Sequence, residues 1–307
     1  MPGFITVAKF SLAEIVRGRV FKTIMIIALI VNFLVCFMGY WTVSRSPLSG
    51  EIIKEQKREL SHMDGIGGIP SDISELTDPM VLSYITTFLK WFAYSVYIFF
   101  GNMLVIFIAI GIMAPELERR SIYTLISKPL SRTGIISGKL LGVMICLLIY
   151  ALIMILSAQF FFLIVGAKFQ PSIFPAFAIG FINFLIFGAL AMFLAVNFRP
   201  IPSAVVSMMI LWVSTFAGTF TIKTIGQEIF KFGKWVDYVL LILPQQKNIG
   251  FYALSFIFDK YQKSMIAEAP DMLKFISDSP RELIQPLIWL GCILVINFLS
   301  FYKKEFD

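Results

Sequence analysis
Six long runs of this chain carry no Asp, Glu, Lys, Arg or His: Thr23–Trp41, Trp91–Met113, Leu140–Ala167, Phe169–Phe198, Pro200–Ile222 and Leu283–Tyr302. The shortest has 19 residues and the longest 30. A helix needs roughly 20 apolar residues to cross about 30 Å of hydrocarbon. Lipid offers no hydrogen-bond partner, so each span must satisfy its backbone internally. Two-residue alternation is missing from the runs, which argues against a β-barrel. Composition agrees. Hydrophobic residues make up 58% of the 307 residues and charged ones only 15%, against about 45–50% and 25% in soluble domains. The excess apolar surface must face lipid. The expected fold is an all-α membrane protein, a single domain over residues 1–307. Its six transmembrane helices are placed at about 21–41, 91–113, 140–165, 173–197, 202–222 and 283–302.

Orientation follows from Lys and Arg. Twelve fall in the fewer than 60 residues of segments 1–22, 114–139, the link at Arg199, and 303–307. Fourteen are spread over the nearly 120 residues of 42–90, 166–172 and 221–282. Basic density is about twice as high in the first set, which the positive-inside rule assigns to the cytoplasm. Both termini are then cytoplasmic, in a multi-pass protein of the plasma (bacterial inner) membrane. The net charge of +7 is a product of this topology and needs no nucleic acid. The first run is too long for a signal peptide, and Met38-Gly39-Tyr40-Trp41 is not a small-residue cleavage site. Cys36, Cys146 and Cys292 lie within the runs and read as packing residues. With no cysteine in an outer loop, no disulfide framework is expected.

On a helical wheel of Phe4–Arg19, Phe4, Ile5, Ala8, Leu12, Ile15 and Val16 share one arc, with Lys9 and Arg17 off it. That suggests an interfacial helix along the inner leaflet; a cytoplasmic extension of the first span is the alternative. The outer loop 42–90 has a charged helical stretch at Glu51–Met63 and a flexible Gly65–Pro70. Asp78-Pro79 then reads as an N-cap and first helical position. From Pro79 a helix could run unbroken to Met113, 35 residues or about 52 Å. Pro200 and Pro202 make a tight link between the fourth and fifth spans. In the outer loop 223–282, the stretch 236–246 is too short to cross, and Asp237 and Lys247 bracket it. It reads as a re-entrant or interfacial element anchored by Trp235 and Tyr238. A seventh span through Phe258 is the alternative, at a cost of a few kcal/mol for each stranded charge.

Much chemistry is absent. His62 stands without Cys or clustered carboxylates, so no metal site is expected. The spans hold no His, Asp or Glu, which argues against a catalytic set, a proton-driven carrier and a voltage sensor. Asn32, Asn102, Gln159, Asn183, Ser207, Ser214, Thr215, Gln285 and Asn297 are polar residues within the spans. They fit interhelical hydrogen bonds of about 0.6–2 kcal/mol each. Asn32, Asn102, Gln159, Asn183 and Asn297 are also candidates for lining an amphiphile's path. Gly134-Ile135-Ile136-Ser137-Gly138-Lys139-Leu140 is not a phosphate-binding loop. It has three residues between its glycines instead of four, and Leu after the Lys instead of Ser or Thr.

The segment 114–139 carries the densest signal. Pro115 suits a first helical turn, with Glu116 and Glu118 at its positive end. Lys128-Pro129 stops that helix, Ser131 can cap the next turn, and Gly138-Lys139 leads into the third span. The expectation is a short exposed helix tied to the second and third spans; an ordinary basic inner loop is the bland alternative.

Glu116-Leu117-Glu118-Arg119-Arg120-Ser121-Ile122-Tyr123-Thr124-Leu125-Ile126-Ser127-Lys128-Pro129-Leu130-Ser131-Arg132, followed by Gly138-Lys139-Leu140-Leu141-Gly142, resembles the membrane subunits of ATP-binding-cassette transporters of the type-2 exporter class. Those subunits read as an acidic pair, a Gly-Thr or Arg-Thr step, "LLS-basic-Pro-x-Ser-Arg" and "Gly-Lys-x-x-Gly". Glu14–Phe21 is similar to their entry helix. Leu243-Pro244-Gln245 is similar to a Leu-Pro-Asn turn in permeases grouped with multicopper-enzyme maturation. The departure is Ser121, where Thr is usual, and a hydroxyl remains. The resemblance implies a permease, paired as homodimer or heterodimer, with a separate ATPase subunit docked beneath. ATP and Mg²⁺ would bind in that partner, and this chain would bind no cofactor and catalyse nothing itself. Glu116, Glu118, Arg119, Arg120, Lys128, Pro129, Arg132, Gly138 and Lys139 would form the ATPase-coupling element. The implied function is ATP-driven export. A different class is an ATPase-driven scaffold or mechanical transmitter acting on a periplasmic partner.

Overall fold
A computed structural model describes residues 2–45, 73–118, 132–164, 169–220, 244, 246–258 and 280–303. Among these, eight α-helices form, and no strand is present. α1 is Pro2–Arg17, α2 is Arg19–Arg45, α3 is Ile73–Glu118 and α4 is Arg132–Ile164. α5 is Ile173–Asn197, α6 is Pro200–Phe220 and α7 is Gln246–Ile257. A 3-10 turn at Pro280–Leu283 leads into α8, Ile284–Lys303.

Five stretches are long and apolar enough to cross a membrane: Arg19–Met38, Thr86–Met113, Thr133–Ile164, Ile173–Asn197 and Ile284–Lys303. The sixth expected span is α6, with 21 residues. At two boundaries the helix runs on past the charge that ends the apolar run. Charge alone placed Lys90 and Lys139 outside the spans, yet both lie within continuous apolar helices and are only 2% and 1% exposed. A long aliphatic stem can pack along apolar neighbours, and a helix does not stop where a charge appears.

Helix starts also differ from expectation. α3 begins at Ile73, so Asp78 and Pro79 lie inside it and do not open it. Nor does Pro115 open a new helix; it sits in the last turn of α3, which runs on to Glu118. A proline there removes a single intrahelical bond. The stretches 46–72 and 221–243 lie outside the described residues, as do the charged helix of the first loop and most of the 236–246 element. The next helix, α7, has 12 residues and is about 18 Å long. It is too short to span, and it is buried at Ile249, Ala253 and Ile257.

At the N-terminus, Gly18 separates α1 from α2, with its N–H donating to the Glu14 and Ile15 carbonyls. α1 is therefore a helix of its own. It packs against the start of α4, burying Val7, Ala8, Ser11 and Ile15, while Ile5, Phe10 and Val16 stay exposed. The expected apolar arc is thus split. The contact with α4 is set by Gly138 and Gly142, where a Cβ would meet Val7 and Ser11 side-chain atoms at 2.9 Å.

α5 is the axis of the bundle: 72% of its apolar stretch is buried, against 28% for α2 and 22% for α8. α3 runs parallel to α5, with Gly180 under Ile98, Gly101 under the Phe184 ring and Gly188 against Val105. Glycines let membrane helices approach closely and gain dispersion contacts. α4 runs antiparallel to α3. Tyr150 donates to the Tyr97 carbonyl at 3.0 Å, and Tyr97 donates to the Phe177 carbonyl at 3.1 Å. α8 is parallel to α5, with Asn297 Nδ2 donating to the Ala189 carbonyl at 2.6 Å and Ser300 to Asn197 Oδ1 at 2.9 Å. The α5–α6 link is tight: Ser203 Oγ donates to the Leu194 carbonyl at 2.9 Å. These registers gather α1, the end of α3, the start of α4, the α5–α6 link and the end of α8 at one end of the bundle.

Candidate functional site
That end holds the arms of the expected coupling segment. Glu116 and Glu118 belong to the last turn of α3, and Arg132 opens α4. Arg119, Arg120, Lys128 and Pro129 lie outside the described residues. Gly138 and Lys139 are fully placed. Gly138 is roofed by α1, since a Cβ there would meet Val7 at 2.9 Å and the Phe4 carbonyl at 3.0 Å. Lys139 turns inward, its Nζ donating to the Ile112 carbonyl at 3.4 Å. An ammonium near the C-terminal carbonyls of a helix also meets the negative end of its dipole. Lys139 therefore clasps the end of α3 to the start of α4, next to the glycine that α1 covers.

The polar side chains of the spans are dispersed. Asn32 Nδ2 donates to Ser157 Oγ at 3.0 Å, joining α2 to α4. Gln159 closes a two-bond bracket with the Gln170 backbone, donating at 2.7 Å and accepting at 3.2 Å. Asn297 pins α8 to α5. Asn183 Nδ2 reaches Asn102 Oδ1 at 3.5 Å between α5 and α3. Of these five amides, Asn102 alone borders the cavity between α3, α6 and α7.

That cavity lies in the half of the bundle away from the coupling arms and has a volume of about 360 Å³. Its wall is Trp91, Tyr94, Ser95, Ile98, Phe99, Asn102 and Met103 of α3, Leu211, Trp212 and Thr215 of α6, and Gln246 and Leu254 of α7. Among the described residues no charged side chain lines it. α7 is fixed there at its first turn: Ser214 donates to the Pro244 carbonyl, and Thr215 pairs with Gln246 Oε1. Two hydroxyls on the wall also bond within their own helices, Ser95 to the Trp91 carbonyl at 2.9 Å and Thr215 to the Leu211 carbonyl at 2.8 Å. Gln246 Nε2 is buried with no partner among the described residues.

A wall of this kind suits an apolar passenger, and the six-span layout with its clasped arms suits a driven one. The family described as ABC-2 family transporter protein matches residues 5–306. The chain belongs to the ABC-2 transporter family. No curated protein matches it. As an ABC-2 family member it is a membrane permease component of an ABC transporter, a multi-pass integral membrane protein and not itself an enzyme. Membership implies a separate ATPase partner.

Two features of this ABC-2 permease were beyond reach in the sequence. Gln246 follows the Leu243-Pro244-Gln245 turn, which was a signal for a special element but not for an unmatched amide. The clasp at Lys139 was hidden because a lysine beside an apolar run reads as the end of a span.

Proposed function
We propose that this chain is the permease subunit of an exporter. It pairs with a second permease, and separate ATPase subunits holding ATP and Mg²⁺ dock on its cytoplasmic end. Both termini then face the cytoplasm of a bacterial cell, with the chain in the inner membrane. Closure of the ATPases pushes on the segment 114–139, where Glu116, Glu118, Arg119, Arg120, Lys128 and Arg132 meet the partner or hold the segment in place.

The observation that carries this reading is the clasp. The two arms of the segment are the ends of α3 and α4, and the Lys139–Ile112 contact makes them one body. A push delivered there moves both long helices together, and α3 carries the cavity wall near its middle, over Trp91–Met103. The cavity favours movement of a cargo over purely mechanical transmission.

Reversing charge at both Glu118 and Arg132 tests the coupling. The variant is expected to insert and fold while losing co-purification with its ATPase. A complex that persists unchanged overturns the coupling assignment. ATP-dependent movement of a hydrophobic cargo in reconstituted vesicles tests export itself. Brisk ATP turnover with no cargo moved would sink the exporter reading.

A further inference from the structure
We propose that the cavity between α3, α6 and α7 binds an uncharged amphiphile through a hydroxyl or amide group that pairs with Gln246. This deepens the exporter reading and rests on it for the ligand's role as cargo.

The size comes first. A space of about 360 Å³ falls within the roughly 300–1,000 Å³ of small-molecule sites, which are mostly apolar with a few placed polar groups. Charge comes second. Among the described residues no Asp, Glu, Lys, Arg or His lines the space, so a charged ligand would lose its hydration without gaining a counter-charge from them. The described wall therefore favours a neutral occupant.

The polar handle comes third. Thr215 has one hydroxyl proton, and it lies between two acceptors, the Leu211 carbonyl and Gln246 Oε1. Thr215 can therefore satisfy only one of the two heteroatoms of the Gln246 amide. The other, Nε2, has no partner among the described residues, and Gln246 is only 9% exposed. A buried polar group without a partner is costly, and a donor-and-acceptor group on the ligand removes that cost in either orientation. Access comes fourth. Trp91 and Trp212 border the space and are 38% and 50% exposed, an aromatic rim at the mouth.

The probe is 4-(hydroxymethyl)benzophenone, which is neutral and carries one hydroxyl. Its ketone inserts into nearby C–H bonds under near-ultraviolet light. Its charged twin, 4-benzoylbenzoate, has a carboxylate in place of the hydroxymethyl group. Labelling of the reconstituted transporter is mapped by peptide mass spectrometry. The expected result is saturable labelling within Trp91–Met103 and Leu211–Thr215 by the alcohol, and at least tenfold weaker labelling by the carboxylate. Gln246→Leu keeps the bulk and removes the amide, and should raise the half-saturating concentration about tenfold. Leu254→Trp fills the space and should abolish the labelling. Competition by excess 4-benzylbenzyl alcohol, which lacks the ketone, needs no variant and should also abolish it. Labelling that never saturates, that is equal for the two probes, or that ignores Gln246→Leu overturns the proposal. So does the absence of labelling here, as when a second permease copy covers the mouth. Vesicle uptake is measured separately. Saturable labelling without uptake leaves the site standing and removes the exporter reading.

Discussion
Adjoining faces of α3 are built in contrasting ways. On one, Tyr97, Gly101 and Val105 meet α5 without a gap: the Phe184 ring lies over Gly101, and Tyr97 stacks on Phe177 with ring centroids 4.1 Å apart. On the other, Trp91, Ser95 and Asn102 border open space completed by α6 and the short α7. The close seam makes α3 and α5 move as one unit, because packed interiors transmit displacement instead of absorbing it. The cleft has no such close packing across it, while α7 stays seated on α5 through the buried Ile249, Ala253 and Ile257. A subunit that turns a push at one end into a change of cavity further along needs both faces on the same helix.

The largest expected effect comes from breaking the seam. A Cβ at Gly101 would lie 2.1 Å from Phe184 Cζ, so Gly101→Leu must displace a buried ring. Overpacking of this kind costs typically about 1–3 kcal/mol and occasionally more. The variant should unfold at clearly lower temperature in detergent. Ser95→Leu on the cleft face extends into the cavity and should shift the midpoint far less. Equal losses would mean that the two faces are not built differently.

A smaller effect is expected at Tyr97. Tyr97→Phe keeps the stacked ring and removes the 3.1 Å bond to the Phe177 carbonyl. That carbonyl keeps its place in the helical ladder of α5. The loss should be about 1 kcal/mol, read as a modest drop in the same midpoint with ATPase binding unchanged. A loss as large as that of Gly101→Leu would show that the hydroxyl, not the glycine contact, holds the seam.

The contrast between the faces could not be read from sequence, and the reason is physical. In a water-soluble helix the polar face marks what lies outside. In α3 both the side facing α5 and the side facing the cavity are apolar, so periodicity is erased and the wheel cannot orient the helix. The same ambiguity kept the wheel from separating the two sides of α1, where Ile5 and Val16 are as apolar as the Ala8 and Ile15 that are buried. The spans themselves were legible because hydrocarbon tolerates few charges over 20 residues, and the α5–α6 link because Pro200 cannot continue α5. Lys90 and Lys139 escaped because hydropathy scores the ammonium and not the stem. The cavity was not legible, since open space between apolar helices leaves no mark in their composition.

Asn102 belongs to both faces, and its partner gives the smallest and most informative test. Asn183 is 2% exposed, its Nδ2 reaches Asn102 Oδ1 at 3.5 Å, and its own Oδ1 has no partner. Interhelical bonds in membranes average about 0.6 kcal/mol. Asn183→Leu removes a long bond and an unmatched acceptor together, so stability should change by no more than about that amount. Asn102→Leu should cost more, because it leaves the buried Asn183 amide with nothing to bond. A double-mutant cycle separates the pair energy from these single effects. If Asn183→Leu leaves the melting midpoint in place yet weakens saturable probe labelling, the pair serves to aim Asn102 at the cavity. If it destabilises the fold as much as Tyr97→Phe does, Asn102 belongs to the seam, and the cavity keeps Gln246 as its polar anchor.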